Sequence, residues 1–340
     1  MTIEQTTQPP HQPTADTVAS PDRPIPAPTA SSGWPAAQPA GSADRPPAEP
    51  IPYHRLARVI GRHNWWRPIV GTFVLLGLAL IGGLLIIGAA SAVAALLDVP
   101  LDADGWPQFG EIPDTALLLI VTAAALPATA LAARWIQKRR RGSLSSVVGH
   151  LRLPWLRTCL AIAAVPTTLL LAASFIIDPE NTPWVGWGTF LAGVAMVICL
   201  VPFQAAAEEY VFRGWLLQAT GSFLRSPVLV VIPQALLFAA AHGWGTPYGF
   251  ATLTVFGLSA GWLTIRTGGI EAALALHIMN NVIAFAASAA YTGGLSSDET
   301  AADLPWGVAL TDATLTVLTT VAILHLATRR NLTTHLTILR

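Results

Sequence analysis

The chain has few charged residues. Only 11% of its 340 residues are charged, whereas 53% are hydrophobic. Soluble globular proteins carry roughly 25% charged residues, so this composition excludes an ordinary soluble domain and predicts a polytopic membrane protein. Its formal net charge is zero, which argues against a nucleic-acid partner.

Cysteine is almost absent: Cys159 and Cys199 both lie in apolar runs, so neither a CxxC metal site nor a disulfide framework is predicted.

Several motifs that would assign a chemistry are also missing. The chain has no HExxH zinc-protease helix, no Walker A loop and no glycine fingerprint of a dinucleotide-binding domain. No serine has polar surroundings comparable with those of the acidic pair described below, so serine-nucleophile chemistry has no candidate. Lys138 is the single lysine among 19 basic residues. With the richness in alanine and proline, this composition indicates a bacterial, GC-rich genome.

The first part of the chain is rich in proline. Residues 1–53 hold 13 of the 27 prolines, and a segment of this composition buries too little apolar surface to offset its ordering entropy. We predict a disordered cytoplasmic tail at 1–53. Residues 54–150 would hold two membrane helices and a basic loop, 151–292 a helical core with the polar residues, and 293–340 the last membrane helix and a basic tail.

Beyond the tail the chain consists of long apolar runs. A membrane helix needs about 20 apolar residues, and we identify eight candidates: 68–97, 114–135, 157–177, 188–207, 227–243, 248–266, 270–291 and 308–328. The predicted fold is all-α, a polytopic membrane bundle of about eight transmembrane helices. The fifth run is short, and Pro233 within it is expected to bend the helix.

Acidic and basic residues separate between the connecting segments. With the N-terminus in the cytoplasm, all 19 Lys and Arg residues fall on the cytoplasmic side, as the positive-inside rule requires. The outer segments hold only acids: Asp98, Asp102, Asp104, Glu111, Asp114, Asp178, Glu180, Asp298, Glu299 and Asp303. We therefore predict a multi-pass protein of the cell membrane with both termini cytoplasmic and with the lipid bilayer as a partner.

An acidic pair ends the fourth apolar run. Glu208 and Glu209 adjoin, and Arg213 follows Glu209 by four residues, a spacing that puts the last two on one helix face. Arg213 is therefore predicted to neutralise Glu209, and Glu208 is left free to act as a general base. Ionisable groups within membrane segments are functional-site candidates by default. A simple ion pair at a helix end is the alternative for this segment taken alone.

Two later apolar runs carry polar residues at the same helical spacing. Phe238 and His242 are four residues apart in the fifth run, and His277 and Asn281 are four apart in the seventh. Taken alone, an interfacial histidine or a hydrogen bond between helices explains each pair equally well. Together with Glu208 they supply a base, imidazoles and an amide, a set that can activate water, bind a metal or stabilise an oxyanion.

If each run is one helix, Glu208 and His242 are predicted to lie at different depths in the membrane. Glu208 would lie near the inner boundary at the end of helix four. His242 would lie roughly 23 Å from Pro227 at 1.5 Å per residue. We therefore predict that helix five starts below the bilayer, tilts strongly or bends at Pro233, with the site opening to the cytoplasmic half.

Three motifs now stand in order on successive apolar runs. They are EExxxR at 208–213, FxxxH at 238–242 and HxxxN at 277–281. In this order they resemble the CPBP (also called Abi) family of CAAX proteases and bacteriocin-processing enzymes, over about residues 155–290. The resemblance implies a helical membrane bundle with a CPBP-like catalytic core at 151–292. It also implies intramembrane endoproteolysis of a membrane-associated peptide or protein.

The family resemblance also implies roles for the motif residues. Glu208 would activate the attacking water, and His242 would help to position it. His277 and Asn281 would stabilise the oxyanion, with Glu209 and Arg213 in support. The cofactor stays open, because the family has been described both as metalloproteases and as metal-free glutamate proteases. Glu208, His242 and His277 can equally form a three-ligand site for a divalent metal such as zinc.

Two other functions are compatible with these residues. A non-catalytic relative, a membrane adaptor or immunity factor, would bind a peptide without cutting it. A transporter would also use buried glutamate and histidine, but its polar residues would be spread across the membrane depth, whereas these are clustered. The intact motif set favours the endopeptidase.

Overall fold

The structure, a computed structural model, describes residues 49–177, 183–297 and 299–338, which all lie in one compact unit, Ala40–Arg340. Within them, eight apolar helices follow the eight predicted runs. We label them α1 (Trp66–Leu96), α2 (Glu111–Trp135), α3 (Leu153–Ile177), α4 (Trp187–Phe223), α5 (Pro227–Ala241), α6 (Pro247–Thr267), α7 (Glu271–Ser288) and α8 (Trp306–Arg329). The predicted helical membrane bundle is therefore confirmed, and the chain is a multi-pass membrane protein.

Seven of the eight predicted spans have full length. Within the described residues, seven helices are long and apolar enough to cross a membrane, whereas α5 has only 15 residues. At 1.5 Å per residue α5 measures roughly 22 Å, which is less than the roughly 30 Å of a bilayer core. Pro233 lies inside this helix without ending it.

The helices pack in two groups around α6 and α7. In the first group α5 and α8 flank α6, the most buried of the spans. In the second, α7 packs between α3 and α4, α2 packs on α4, and α1 packs on α2. Contacts between α6 and α7 join the two groups. The site therefore forms where α4, α5 and α7 meet.

Small residues allow α5 to lie close against α6. A Cβ atom placed on Gly257 would come within 2.7 Å of the Ala235 Cα, and one on Gly261 within 2.5 Å of the Gln234 side chain. The buried Gln234 amide donates to the carbonyl oxygen of Gly257 at 2.9 Å. Close backbone approach through small residues, with polar groups bonded between helices, is typical of membrane helix packing.

The segments predicted to be cytoplasmic gather at one end of the bundle, which we call the basic end. Strand β1 (Ile51–Pro52) pairs antiparallel with β2 (His335–Leu336), so the two terminal regions meet there. Arg55 and Arg58 each donate at 2.9 Å to carbonyl oxygens in the last turn of α4, those of Gly221 and Ser222. They thereby satisfy acceptors that the end of a helix leaves without partners.

Ordered structure at the N-terminus begins before the predicted boundary. The 3₁₀ turn Tyr53–Arg55 and the short helix Leu56–Val59 follow β1, and Tyr53 is fully buried with its hydroxyl donating to the Leu144 carbonyl. Residues 51–53 are therefore folded rather than part of a disordered tail. The rest of that prediction, residues 1–48, lies outside the described residues, as do Asp178, Glu180 and Asp298 of the outer segments.

The basic loop after α2 buries one of its charged residues at the basic end. Arg139 is 3% exposed, donates to Ser143 at 3.2 Å and to Gln218, and lies 5.7 Å from the Trp215 ring centroid. Burial lowers the pKa of this guanidinium to about 10. The short helix Gly142–Ser145 follows it. Not every basic residue predicted to face the cytoplasm is therefore solvated.

The acidic segments meet at the opposite end. Trp184 bridges to Tyr291, the Glu111 carboxylate accepts from the Gly293 amide at 2.9 Å, and Thr246 donates to the Leu304 carbonyl at 2.7 Å. The separation of basic and acidic segments read from the sequence thus corresponds to two ends of the folded bundle.

Candidate active site

The acidic pair lies within α4 rather than at its end. The helix is α-helical over Trp187–Glu209, continues as a π-helix over Tyr210–Leu216 and ends as an α-helix at Leu217–Phe223. Glu208 therefore lies roughly 22 Å along the helix from Phe223, and His242, the C-cap of α5, lies roughly 22 Å from Pro227. The predicted conflict of depths is removed, because its premise that helix four ends near residue 207 was wrong.

The expected opening of the site to the basic half also needs correction. The backbone carbonyl of His242 accepts from the Thr300 hydroxyl at 3.4 Å. Thr300 belongs to the segment before α8, at the end of the bundle opposite the basic one. His242 therefore lies next to the acidic end. A cavity of about 650 Å³ beside Arg152 and Arg330 is at the basic end, and none of the motif residues lines it.

The carboxylate of Glu208 has one engaged oxygen and one open oxygen. Oε1 accepts a hydrogen bond from Gln204. Oε2 is buried and has no hydrogen-bond partner among the described residues. It lies 3.7 Å from Nε2 of His277 and 3.9 Å from Nε2 of His242. The structure thus brings three of the predicted site residues, from three helices, around one open carboxylate oxygen.

Glu209 is occupied by two partners. Its Oε1 accepts from Nη1 of Arg213 at 2.8 Å and from Nδ1 of His277 at 2.8 Å. Glu209 and Arg213 are both 0% exposed, and the predicted pairing between them is observed. The contact with His277 was not predicted, because helical phase within one run cannot show which neighbouring helix meets Glu209.

The two imidazole rings present the same nitrogen to Glu208. The Phe238 carbonyl, 2.8 Å from Nδ1 of His242, can only accept, so that Nδ1 carries the proton. An ionised Glu209 imposes the same tautomer on His277. In the neutral form of each ring, Nε2 therefore carries a lone pair and lies within 4 Å of the open oxygen of Glu208. Such groups can accept a proton from a water molecule held between them.

Phe238, the first residue of FxxxH, packs against Arg213 and both histidines. Its ring centroid lies 4.4 Å from the Arg213 guanidinium carbon, 4.6 Å from the His242 ring and 5.7 Å from the His277 ring. A guanidinium over an aromatic face is stabilised by about 2 kcal/mol when desolvated. Phe238 thus helps to hold a buried cation and both histidines, a role beyond spacing in the motif.

Asn281 reaches the site through a residue that the sequence reading missed. Its Nδ2 donates to Oε1 of Gln204 at 3.0 Å, and Gln204 in turn donates to Glu208. Gln204 precedes Glu208 by four residues, so the helical spacing that paired Glu209 with Arg213 would also have paired these two. The signal was therefore present in the sequence, one turn before the motif.

One serine has the spacing of a serine-hydrolase motif without its setting. Ser259 is the central residue of GLSAG at 257–261. It lies in the middle of α6 and is buried, whereas a nucleophile elbow needs a tight turn between a strand and a helix. The flanking glycines Gly257 and Gly261 are used instead for the approach of α5.

The same donor atoms were tested as a metal site. Imidazole nitrogen and carboxylate oxygen are ligands that zinc accepts. Within the described part of the chain, however, no group of three His, Cys, Asp or Glu side chains is arranged to hold a metal ion.

Comparison with known proteins identifies the segment that carries the site. Residues 189–283 match the family described as Type II CAAX prenyl endopeptidase Rce1-like, and this segment contains all three motifs. The resemblance predicted from the motifs is confirmed over this segment, which is similar to the Rce1-like CAAX endopeptidases.

A relative of unknown role matches over a longer stretch. The Uncharacterized protein YyaK of Bacillus subtilis (strain 168) is 27% identical over 235 residues, covering 65% of this chain and 77% of the relative. No solved structure matches the chain.

Proposed function

We propose that the protein is an intramembrane endopeptidase that hydrolyses a peptide bond of a membrane-associated substrate with water activated by Glu208. The observation that carries the proposal is the open oxygen of Glu208, buried without a partner and faced by Nε2 of His242 at 3.9 Å and of His277 at 3.7 Å. The match of residues 189–283 to the Rce1-like endopeptidase family supports proteolysis. A carboxylate beside a water molecule can take its proton as the water attacks.

The proposed reaction begins with water held between Glu208 and His242. Glu208 takes one proton from the water, and the oxygen of the water bonds to the carbonyl carbon of the scissile amide. The resulting tetrahedral oxyanion needs donors. The imidazolium form of His277, with its Nδ1–H held by Glu209, has an Nε2–H to donate. Asn281 supplies a second donor, because its amide carries two N–H groups and one is bonded to Gln204.

Collapse of the tetrahedral intermediate completes the balance of atoms. The C–N bond breaks as Glu208 returns its proton to the leaving nitrogen, giving one new carboxyl terminus and one new amino terminus. Glu209 and Arg213 contribute by fixing the orientation of His277. The membrane-embedded position of the site supports a substrate that is itself anchored in or on the bilayer.

The orientation in the membrane is part of the same proposal. We place both termini in the cytoplasm of a cell whose plasma membrane holds the bundle. This is supported by the basic end, where β1 and β2 pair and where the described loops rich in Arg and Lys gather.

The function is tested by comparing membrane-associated peptides in cells that carry the wild-type chain or Glu208→Gln. The variant cells are expected to accumulate one or more uncut peptides and to lose the matching fragments. An identical peptide pattern, with the variant folded and present at normal abundance, would overturn the proposal in favour of a non-cleaving adaptor.

A further inference from the structure

The amide of Gln204 connects two residues of the motifs. Its Nε2 donates to Oε1 of Glu208, and its own Oε1 accepts from Nδ2 of Asn281 at 3.0 Å. Gln204 is 6% exposed, so a lost hydrogen bond there is not replaced by bulk water. It belongs to none of the three motifs.

We propose that Gln204 is a positioning residue that fixes the Glu208 carboxylate with Oε2 towards the two histidines. This rests on the proposed endopeptidase function. The terminal torsion of a glutamate is broad and roughly two-fold, so the carboxylate alone has no strong orientational preference. A donor on Oε1 removes that freedom and leaves Oε2 as the oxygen that meets water.

The carboxylate of Glu208 gives this chain of hydrogen bonds its direction, because a carboxylate can only accept. A glutamine side chain can present either its oxygen or its NH₂ group to a neighbour. If Gln204 were flipped, its oxygen would face the Glu208 carboxylate and its NH₂ would face that of Asn281, so both contacts would be lost. The carboxylate therefore selects the orientation in which Gln204 donates to Glu208, and the hydrogen bond from Asn281 to the Gln204 oxygen reinforces it. This makes one side of the site a directed chain from α7 to α4.

Two variants of Gln204 distinguish the effect of its hydrogen bonds from the effect of its side-chain volume. Gln204→Met keeps an unbranched chain of similar size but removes both hydrogen bonds. We expect kcat to fall by roughly 10-fold to 100-fold, since a hydrogen bond to a charged group is lost, with KM changed by less than about 2-fold because the residue does not touch substrate. Gln204→Glu places a second carboxylate against Glu208 at neutral pH, but its protonated form can donate as the amide does.

The pH dependence of Gln204→Glu is the readout that a purely structural role would not change. Its activity relative to that of the wild-type chain is expected to rise as the pH is lowered, because protonation of the new carboxyl removes the repulsion and restores the donor. The ratio for Gln204→Met stays flat with pH. The matched control is Gln234→Met, which removes an equally buried amide that bonds only to backbone carbonyls.

The assay uses the purified full-length chain in lipid vesicles. The probe is a synthetic fluorogenic copy of the peptide that accumulates in Glu208→Gln cells, and Glu208→Gln is measured in parallel. Wild-type kcat in Gln204→Met, with Glu208→Gln inactive, would overturn the role of Gln204 alone. Full activity in Glu208→Gln would instead overturn the proposed function. A flat activity ratio for Gln204→Glu across pH would also contradict the positioning role.

Discussion

His277 joins the two adjacent glutamates of the EExxxR motif. Its Nδ1 lies 2.8 Å from Oε1 of Glu209, and its Nε2 lies 3.7 Å from Oε2 of Glu208. The two glutamates therefore have different roles. Glu209 sets the tautomer and orientation of the His277 ring, whereas Glu208 and His277 together line the space for water.

Neutralising Glu209 is expected to cost stability, whereas neutralising Glu208 is not. Glu209→Gln leaves the fully buried Arg213 without its counter-charge, which costs about 3–5 kcal/mol. Glu208→Gln removes a charge whose Oε2 has no hydrogen-bond partner among the described residues, so the thermal midpoint should stay level or rise. Thermal unfolding of both variants in the same detergent measures the difference. Equal midpoints for the two would contradict the division of roles.

Removing His242 is expected to slow cleavage without unfolding the protein. Its side chain is 25% exposed and bonds only to a backbone carbonyl of its own helix. His242→Ala should therefore leave the thermal midpoint nearly unchanged. A general acid–base group contributes roughly 10²-fold to 10⁴-fold to a rate, and a loss of about that size is expected in kcat.

Metal analysis of the same purified protein completes that prediction. With water activated by the side chains alone, zinc content is sub-stoichiometric in the wild-type chain and unchanged in His242→Ala, and chelator leaves cleavage intact. One zinc per chain that disappears in His242→Ala would show instead that His242 is a metal ligand.

The close contact of α5 with α6 is expected to control activity from a distance. Gly257→Ala would place a Cβ atom 2.7 Å from the Ala235 Cα, so α5 must shift and carry His242 with it. Overpacking of this kind costs typically 1–3 kcal/mol. We expect a lower thermal midpoint and a reduced cleavage rate.

Gly77→Ala is the matched control for that substitution. A Cβ atom on Gly77, in the middle of α1, meets nothing within 4 Å. Because alanine is the better helix former, stability should be unchanged or slightly improved, and cleavage unaffected. Equal behaviour of the two glycine variants would show that the spacing of α5 and α6 does not matter to the site.

The pairing of β1 with β2 predicts that both ends of the described chain face one side of the membrane. Cysteine can be introduced at Ile51 or His335, and at Gly105 as a control for the opposite end, in a chain lacking the exposed Cys199. Labelling of intact cells with a membrane-impermeant maleimide should modify position 105 and spare the other two until the cells are opened. Labelling of position 51 or 335 in intact cells would reverse the proposed orientation.

Local spacing and charge predicted much of this molecule. The eight helices, the separation of basic from acidic segments and the Glu209–Arg213 pair all follow from properties within one helix or one loop. The ordered motifs also brought Glu208, His242 and His277 into one hypothesis, which the 3.7 Å and 3.9 Å separations support.

The predicted end of α4 is wrong because charged residues within a membrane helix resemble those at a helix end. Glu208, Glu209 and Arg213 predict a membrane boundary, but the Glu209–Arg213 ion pair and the ring of Phe238 allow α4 to continue through them. Glu209–His277 was not foreseen because it depends on which helices are neighbours, a property of tertiary packing. Gln204 is a different case. Its four-residue spacing from Glu208 predicts their contact, but Gln204 lies outside the EExxxR motif.

Cleavage by the purified Glu208→Gln protein tests the central claim most directly. The full-length variant is reconstituted in vesicles beside the wild-type chain and Asp312→Asn, a matched removal of a carboxylate from α8. Wild-type and Asp312→Asn proteins are expected to cut one peptide bond of the substrate at similar rates. Glu208→Gln, with a wild-type thermal midpoint, should be slower by roughly 10²-fold to 10⁴-fold. Cleavage at the wild-type rate by folded Glu208→Gln would contradict the account.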